Sequence, residues 1–448
     1  MKEVSCMKKK NKKRVKFDLQ KVFNYYSFFF ILGCIIIYGG TFIKLYLVNE
    51  KELKVLEKTT VLAEQVVNNN YDSLKKVNKN YYFTGNVNNN YISYSNLIWR
   101  IVKITEDNSM MLVSDDAIGT LAYGDISTLY DSSNLIQWLN DDNKFSKILN
   151  KKEEFLKLTN TCIDNINDIK NITCNSVNSD LYVGLLSLED YLNTGGNTSF
   201  INNNYYSYLA NKNNEDNIWY INSNGSINYS DGSDILGVKA TITLNPNINI
   251  INGNGTKEEP YIIERENSLI GSYVKLDNDL WRIYDNKDNI IKLVLNSYIK
   301  DDDEALIYSY SNKNYYHNDT IKDSLAYYLN KTYYNNLSYK DLIVENTYIN
   351  GLYGMENNFN YKDVSLKEIK TKVSIPSIDD IIFNSKLENY FTNTGKLENI
   401  EAIYVRNNSS SASAKLITNS ANIVPCISIN KNNLTLGTGT LSDPFRTE

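Results

Sequence analysis

Residues 91–104 read YISYSNLIWRIVKI, and residues 273–286 read YVKLDNDLWRIYDN, an offset of 182. A second pair of markers lies further on. Gly253-Asn254-Gly255-Thr256 with Pro260-Tyr261 returns as Gly437-Thr438-Gly439-Thr440 with Pro444-Phe445, an offset of 184. Opening and closing markers separated by nearly the same distance predict two tandem copies of one domain-sized module.

Between the markers the copies correspond piece by piece. Each opens as a β-hairpin: Leu97–Val102 and Met110–Val113 around Glu106-Asp107-Asn108-Ser109, against Leu280–Ile283 and Ile290–Val294 around Asp285–Asn289. Apolar runs flanking Asn/Asp-rich turns favour this geometry. A short helix follows, with Trp138 in Leu135–Asn140 matched by Tyr328 in Leu325–Asn330. Ser187-Leu188-Glu189-Asp190 and Ser377-Ile378-Asp379-Asp380 predict a capped helix start, in which the serine accepts from free N–H groups and the acid answers the helix dipole. Ala240–Leu244 and Pro425–Ile429 close each copy as a strand.

The 448 residues carry a formal charge of −5, unevenly spread. Residues 1–21 hold nine basic side chains against Glu3 and Asp18, a balance of +7 that leaves −12 for the remainder. Such an acidic body has no nucleic-acid footprint. From Val22 to Ile43 there is no charged residue. At about 1.5 Å per residue a helix of that length spans the roughly 30 Å of a bilayer core. The basic side is expected to stay in the cytoplasm, making this a signal anchor rather than a cleaved signal peptide. Residues 50–67, EKELKVLEKTTVLAEQVV, read as an amphipathic stalk with Leu53, Leu56, Ala63 and Val67 near one face. The expected order is a basic tail over 1–21, a transmembrane anchor over 22–48, a stalk over 49–80, and extracellular modules over 81–263 and 264–448.

Trp99-Arg100 and Trp281-Arg282 are the sharpest repeated pairs. Two readings stay open. With Trp219, they form a ligand platform of stacking indoles and anion-clamping guanidinium groups. Alternatively, strand alternation turns tryptophan into the core and arginine out to water. The two Gly-Thr segments follow strands, but no Walker pattern completes them, so they read as tight turns. His317, the single histidine, has no counterpart in the first copy. Neither it nor the acidic runs Asp301–Glu304 and Asp141-Asp142 make a metal site, and no cofactor is expected. Cys162 and Cys174 are expected to form a disulfide outside the cell, worth about 2–3 kcal/mol. Cys426 reads as a small buried hydrophobe. The 36 tyrosines against 14 phenylalanines, together with abundant Asn, Lys and Ile, read as AT-rich codon bias.

Taken in order, the WRI hairpin, the helix ending in Trp138-Leu139-Asn140, the Leu186–Asp190 segment, Trp219-Tyr220-Ile221-Asn222-Ser223 and the GNGT…PY closing signature resemble modules of membrane-anchored surface proteins of Firmicutes and Mollicutes-like bacteria, a domain family of unknown function. That group is distantly similar to C-type-lectin-like and formylglycine-generating-enzyme folds. The resemblance covers about residues 81–263 well and 264–448 less well. Where the family's closing strand has Arg-Pro, this chain has Lys239-Ala240 and Val424-Pro425. Only Cys426 lies where the oxidase would need a cysteine pair, which argues against that activity. The expectation is therefore an α+β fold of two mixed modules of hairpins and short helices, C-type-lectin-like in kind, behind one membrane anchor. Its expected role is non-enzymatic binding or adhesion to a glycan, wall polymer or protein. The alternatives are a wall or glycan hydrolase using carboxylates such as Glu189 and Asp190, and a structural spacer.

Overall fold

Short apolar runs separated by Asn, Asp and Gly turns favour β-hairpins, and hairpins build this protein. In the computed structural model it is mostly β-sheet with few short helices, between α+β and mainly β. The structure describes residues 60–448 except 215, 266–267, 312–318, 354–360, 362–364, 382, 384–385, 397–398, 409–410 and 448. The basic tail, the apolar span, residues 49–59 of the expected stalk, Cys6, Cys34 and His317 lie outside these residues. Among the described residues no helix is long and apolar enough to cross a membrane.

Five strands in the N-terminal half lie side by side in the order Tyr91–Tyr94, Leu97–Ile104, Met110–Ser114, Ala240–Leu244, Val183–Leu185, each antiparallel to the next. In the C-terminal half, Tyr273–Leu276, Asp279–Lys287, Ile290–Leu295, Cys426–Asn430 and Val373–Ser374 are ordered and directed the same way. A closing segment then pairs in parallel with the first strand of each set, Tyr261–Ile262 on Tyr91–Tyr94 and Phe445 on Val274.

The second layer corresponds too. Ser207–Asn214, Asn217–Ile221 and Ile227–Ser230 form a meander, with Ile235–Gly237 parallel to its first strand and antiparallel to Thr120–Ala122. Tyr390–Lys396, Asn399–Asn408 and Ser411–Leu416 form the other meander. Ser420–Asn422 lies parallel to its first strand and antiparallel to Ile307–Ser309. A pairing between Leu236 and Ser411 joins the two meanders into one twelve-stranded sheet.

Helix placement rests on repeated side-chain hydrogen bonds. Ser133 caps the helix Asn134–Asn140, and Ser324 caps Leu325–Tyr327, each accepting from the N–H three residues on. Asn140 Nδ2 donates to the carbonyls of Ile136 and Val183 at 3.0 and 2.9 Å, and the Val183 N–H returns a bond to its Oδ1. Asn330 makes the same three bonds with Ala326 and Val373. One asparagine thus pins the helix end to the last strand of each five-strand set.

The halves differ where their local sequence differs. Ser187 caps the helix Leu188–Asn193, whereas Ser377 begins only a turn. There Arg406 Nη2 takes the carbonyls of Ser377, Ile378 and Asp380 at 3.1, 2.6 and 3.1 Å, using acceptors that a helix would need. β-Branched Ile378 and Ile381 add to the local preference against helix. Cys162 and Cys174 are disulfide-bonded, with Cα atoms 5.8 Å apart, across the small hairpin of Thr161–Cys162 and Val177–Asn178. The corresponding insert in the second half is the longer hairpin Asn346–Tyr353 with Ser365–Thr371.

Within the stretch read as a stalk, Leu62–Asn68 is a helix whose Leu62, Ala63 and Val66 are buried in the first core, and Leu74–Val77 joins the first sheet through Asn80–Phe83. The buried face runs through Leu62 and Val66 rather than Val67, which is only partly covered. The first core also takes in Ile378, Ile381 and Tyr404 from the second half. Residues 60–448 pack as one unit.

At the closing turns, Gly253 and Gly437 adopt φ of +90° and +86°. A Cβ on either would land on the carbonyl oxygen of Pro260 or Pro444. Gly437→Ala is expected to destabilise by about 1–3 kcal/mol through strain in the left-handed region and the backbone clash. Gly85→Ala, at φ +75° with nothing within 4 Å of the added atom, carries the left-handed strain alone and should cost less, about 1–2 kcal/mol. Thermal melting of the two variants side by side checks this; equal losses would remove the clash from the explanation.

Candidate functional site

The repeated Trp-Arg pairs lie inside the protein. Trp99 and Trp281 have no exposed surface, and Trp219 is 8% exposed. Trp99 Nε1 donates to the Tyr94 carbonyl at 3.0 Å and Trp219 Nε1 to that of Ile166 at 2.7 Å; Trp281 meets Tyr339 edge-on at 6.4 Å. The expectation that alternation turns the arginines to water is corrected: Arg100 and Arg282 are 4% and 7% exposed. Both faces of these strands are covered. Each guanidinium lies between two aromatic rings, Tyr91 and Phe200 at 3.8 and 4.7 Å for Arg100, Tyr273 and Phe383 at 4.1 and 4.8 Å for Arg282. Stacking a weakly hydrated planar cation on aromatic faces is favourable where water is excluded. With the indoles enclosed, the two arginines are the members of the expected platform that line clefts, Arg100 one of about 390 Å³ and Arg282 one of about 460 Å³.

Asp190 is fully engaged. Its carboxylate accepts from Tyr82 Oη at 2.8 Å, Lys103 Nζ at 2.6 Å and Ser187 Oγ at 2.8 Å. It is the anion of a buried network as well as the acid of a helix cap. Glu189 beside it is half-buried, and burial followed by the Asp190 charge pushes its pKa up.

At the corresponding positions of the second half, Asp379 and Asp380 line a cleft of about 980 Å³. Its walls come from residues 142–147 of the first half and, from the second, the hairpin end at Asp285–Asp288, Lys292, the strand at Asn346–Ile349 and residues 375–381. Two ion pairs cross between the halves here, Lys144 to Asp379 at 2.5 Å and Lys147 to Asp285 at 2.9 Å. Trp138 Nε1 also crosses, donating to the Asp379 carbonyl at 3.0 Å. Lys292 Nζ donates to the Thr347 carbonyl at 2.9 Å and lies over the Tyr348 ring.

The electrostatics of the two adjacent acids diverge. Burial pushes the Asp379 carboxyl up, but the Lys144 charge and hydrogen bond and the Ser377 hydroxyl outweigh it, so its pKa lies below the usual carboxylate value. Burial and then the Asp379 charge push Asp380 up. Asp285 is displaced downward, because Lys147 overcomes its burial. The arrangement offers donors, acceptors and both charges around one concave space, with Tyr284 and Tyr348 beneath, as a site that hydrogen-bonds a polar ligand requires.

No family model, curated protein or solved structure matches this chain. The site is therefore argued from its own geometry. Sequence reasoning named Asp379 and Asp380 only as counterparts of Glu189 and Asp190. It missed Lys144, Lys147, Asp285 and Lys292, whose partners lie 138 to 235 residues away or are backbone carbonyls. Charged residues clustered in Asp141–Lys147, next to a helix matched between copies, were the signal present. Cys426 is buried beside Tyr284 and Tyr348, and burial raises its thiol pKa.

Proposed function

We propose that this chain is a membrane-anchored bacterial surface protein built from two tandem copies of one module, and that it binds a polar ligand without turning it over. The observation that carries the reading is the cleft at Lys144, Asp285, Lys292 and Asp379, where polar groups of both halves converge. Its volume of about 980 Å³ lies at the upper end of the range for small-molecule sites. A glycan or wall-polymer segment, rich in hydroxyl and amide groups, matches the mixed donors and acceptors. Tandem duplication is supported by the two identical strand orders and the paired Asn140 and Asn330 bonds. The extracytoplasmic placement and single-pass anchor rest on the sequence of residues 1–48, and the disulfide suits an oxidising compartment. The likeness to surface modules of a C-type-lectin-like kind belongs to the same proposal.

A hydrolase is the second reading, favoured by the opposite displacement of Asp379 and Asp380, since adjacent carboxyls whose surroundings push their pKa values apart are the raw material of acid–base catalysis. The test is a screen of the full-length chain, solubilised in mild detergent, against glycans and wall fragments, with product analysis. Saturable binding without cleavage, weakened about tenfold (about 1.4 kcal/mol) by Lys292→Met, is the expected result. Cleavage abolished by Asp380→Asn would establish the hydrolase instead. Absence of binding to every fragment would leave the two modules as a spacer and overturn the proposal.

A further inference from the structure

A second cleft, of about 460 Å³, opens beside Arg282, and the two halves differ there in a telling way. In the first half each guanidinium nitrogen of Arg100 has an acceptor. Its Nε donates to Asn90 Oδ1 at 2.7 Å, Nη1 to Asp115 Oδ1 at 3.2 Å and Nη2 to the Val87 carbonyl at 2.5 Å. In the second half Arg282 sits between its two rings in the same manner but has lost those partners. Nη1 donates to Tyr273 Oη at 2.7 Å and Nη2 reaches the Asn96 carbonyl at a long 3.5 Å. Nε is buried and has no acceptor, and no carboxylate among the described residues pairs with this guanidinium.

The backbone shows which residues were exchanged. The Asp115 N–H donates to the Ile98 carbonyl, and the Asn296 N–H donates likewise to Leu280, so Asn296 stands where the first half has its carboxylate. The Ile101 N–H donates to the Asn90 carbonyl and the Ile283 N–H to Ser272, so Ser272 stands where the first half has its amide acceptor. Ser272 Oγ donates to the Ser268 carbonyl instead. The cleft's own acids are engaged elsewhere: Glu264 takes the Ser95 N–H at 2.6 Å and Asn150 Nδ2 at 3.1 Å, and Asp116 takes the Tyr205 hydroxyl at 3.2 Å.

A buried guanidinium without a counter-anion is costly, and the missing anion can enter through the cleft. The geometry points to a site for an organic carboxylate, seated on Arg282 and the Tyr273 hydroxyl, with its apolar body against Leu97, Phe383 and Leu441. It stands apart from the cleft at Lys292, and neither site depends on the other. Arg supplies the planar fork that matches a carboxylate, and the apolar wall selects an acid on a small hydrocarbon frame over a bare ion. The first half, with Asp115 built in, needs no such ligand.

Calorimetric titration of the full-length chain with benzoate, with benzamide as the uncharged isostere, tests this. N-acetyl-alanyl-alanine and its amide form a parallel pair, and tighter binding within one pair tells a free acid from a peptide terminus. The carboxylates are expected to bind at least about tenfold more tightly than the amides, and to lose that margin in Arg282→Gln. Asn296→Asp, which restores the internal anion of the first half, should also abolish binding while keeping or raising the melting temperature. It guards against misreading an unfolded Arg282 variant. Equal binding of acid and amide, undiminished benzoate binding by Asn296→Asp, or no binding of any of the four probes would overturn the assignment.

Discussion

Asp379→Ala is expected to destabilise the protein by about 3–5 kcal/mol, the usual loss when one partner of a buried ion pair is removed and the other charge stays enclosed. Asp379 is 4% exposed and is the largest of the charges that offset the partial burial of Lys144, ahead of Asp380 and Asp141. Asp380→Asn should behave oppositely near neutral pH, costing less than about 1 kcal/mol or stabilising, because it removes a carboxyl whose ionisation is opposed by burial and by Asp379. The acid limb follows from the signs. Asp379 and Asp285 have depressed folded values, so their contribution is complete above the unfolded carboxylate value of about 4 and is lost as pH falls through the lower folded values. Asp380 has a raised folded value, so protonating it on the way down relieves a cost. Denaturant midpoints between pH 7 and 3 should therefore fall for the wild type and flatten in Asp379→Ala. A parallel fall in both would remove the Lys144 pair from the acid response.

Trp138→Ala carries the second large effect, about 3–5 kcal/mol, the range for truncating a fully buried large aromatic. Its indole lies stacked 6.0 Å from Phe145 and fills the space left by Gly119, where a Cβ would stand 2.7 Å from the ring. Trp138→Tyr should lose less, but still forfeits the bond to the Asp379 carbonyl. Tyrosine suffices at the matching position of the second half because Tyr328 is only partly covered and stacks on Tyr308 at 5.0 Å. Because Trp138 and Asp379 share one junction, the double variant should destabilise by less than the sum of the single ones. Full additivity in equilibrium unfolding would show the two contacts to be independent.

Much of the β framework was legible because its signals are local. The WRI hairpins, the Ser187 cap and the tight Gly-Thr turns that close each half each need only a few neighbouring residues to be read. The arginines were misread as outward-facing because strand alternation says nothing of what covers the second face, and Phe200 and Phe383 lie about one hundred residues from the strands they cover. The apolar face of Leu62–Asn68 has the same periodicity whether it stands free or docks, so the pattern could not place it in the core. The candidate cleft was least legible of all. Lys144 and Asp379 look like ordinary solvated charges until the chain brings them together.

The pairing of Leu236 with Ser411 has a consequence for any attempt to divide the protein. Strand Ser411–Leu416 is flanked by its own hairpin partner on one side and by Ile235–Gly237 on the other. Severing the chain near residue 264 would leave part of each product with an uncovered sheet edge, a template for adding strands from another molecule. The expected products are exchanged dimers or aggregates rather than two soluble monomers. The two halves shield one another, so each constrains how far the other can change.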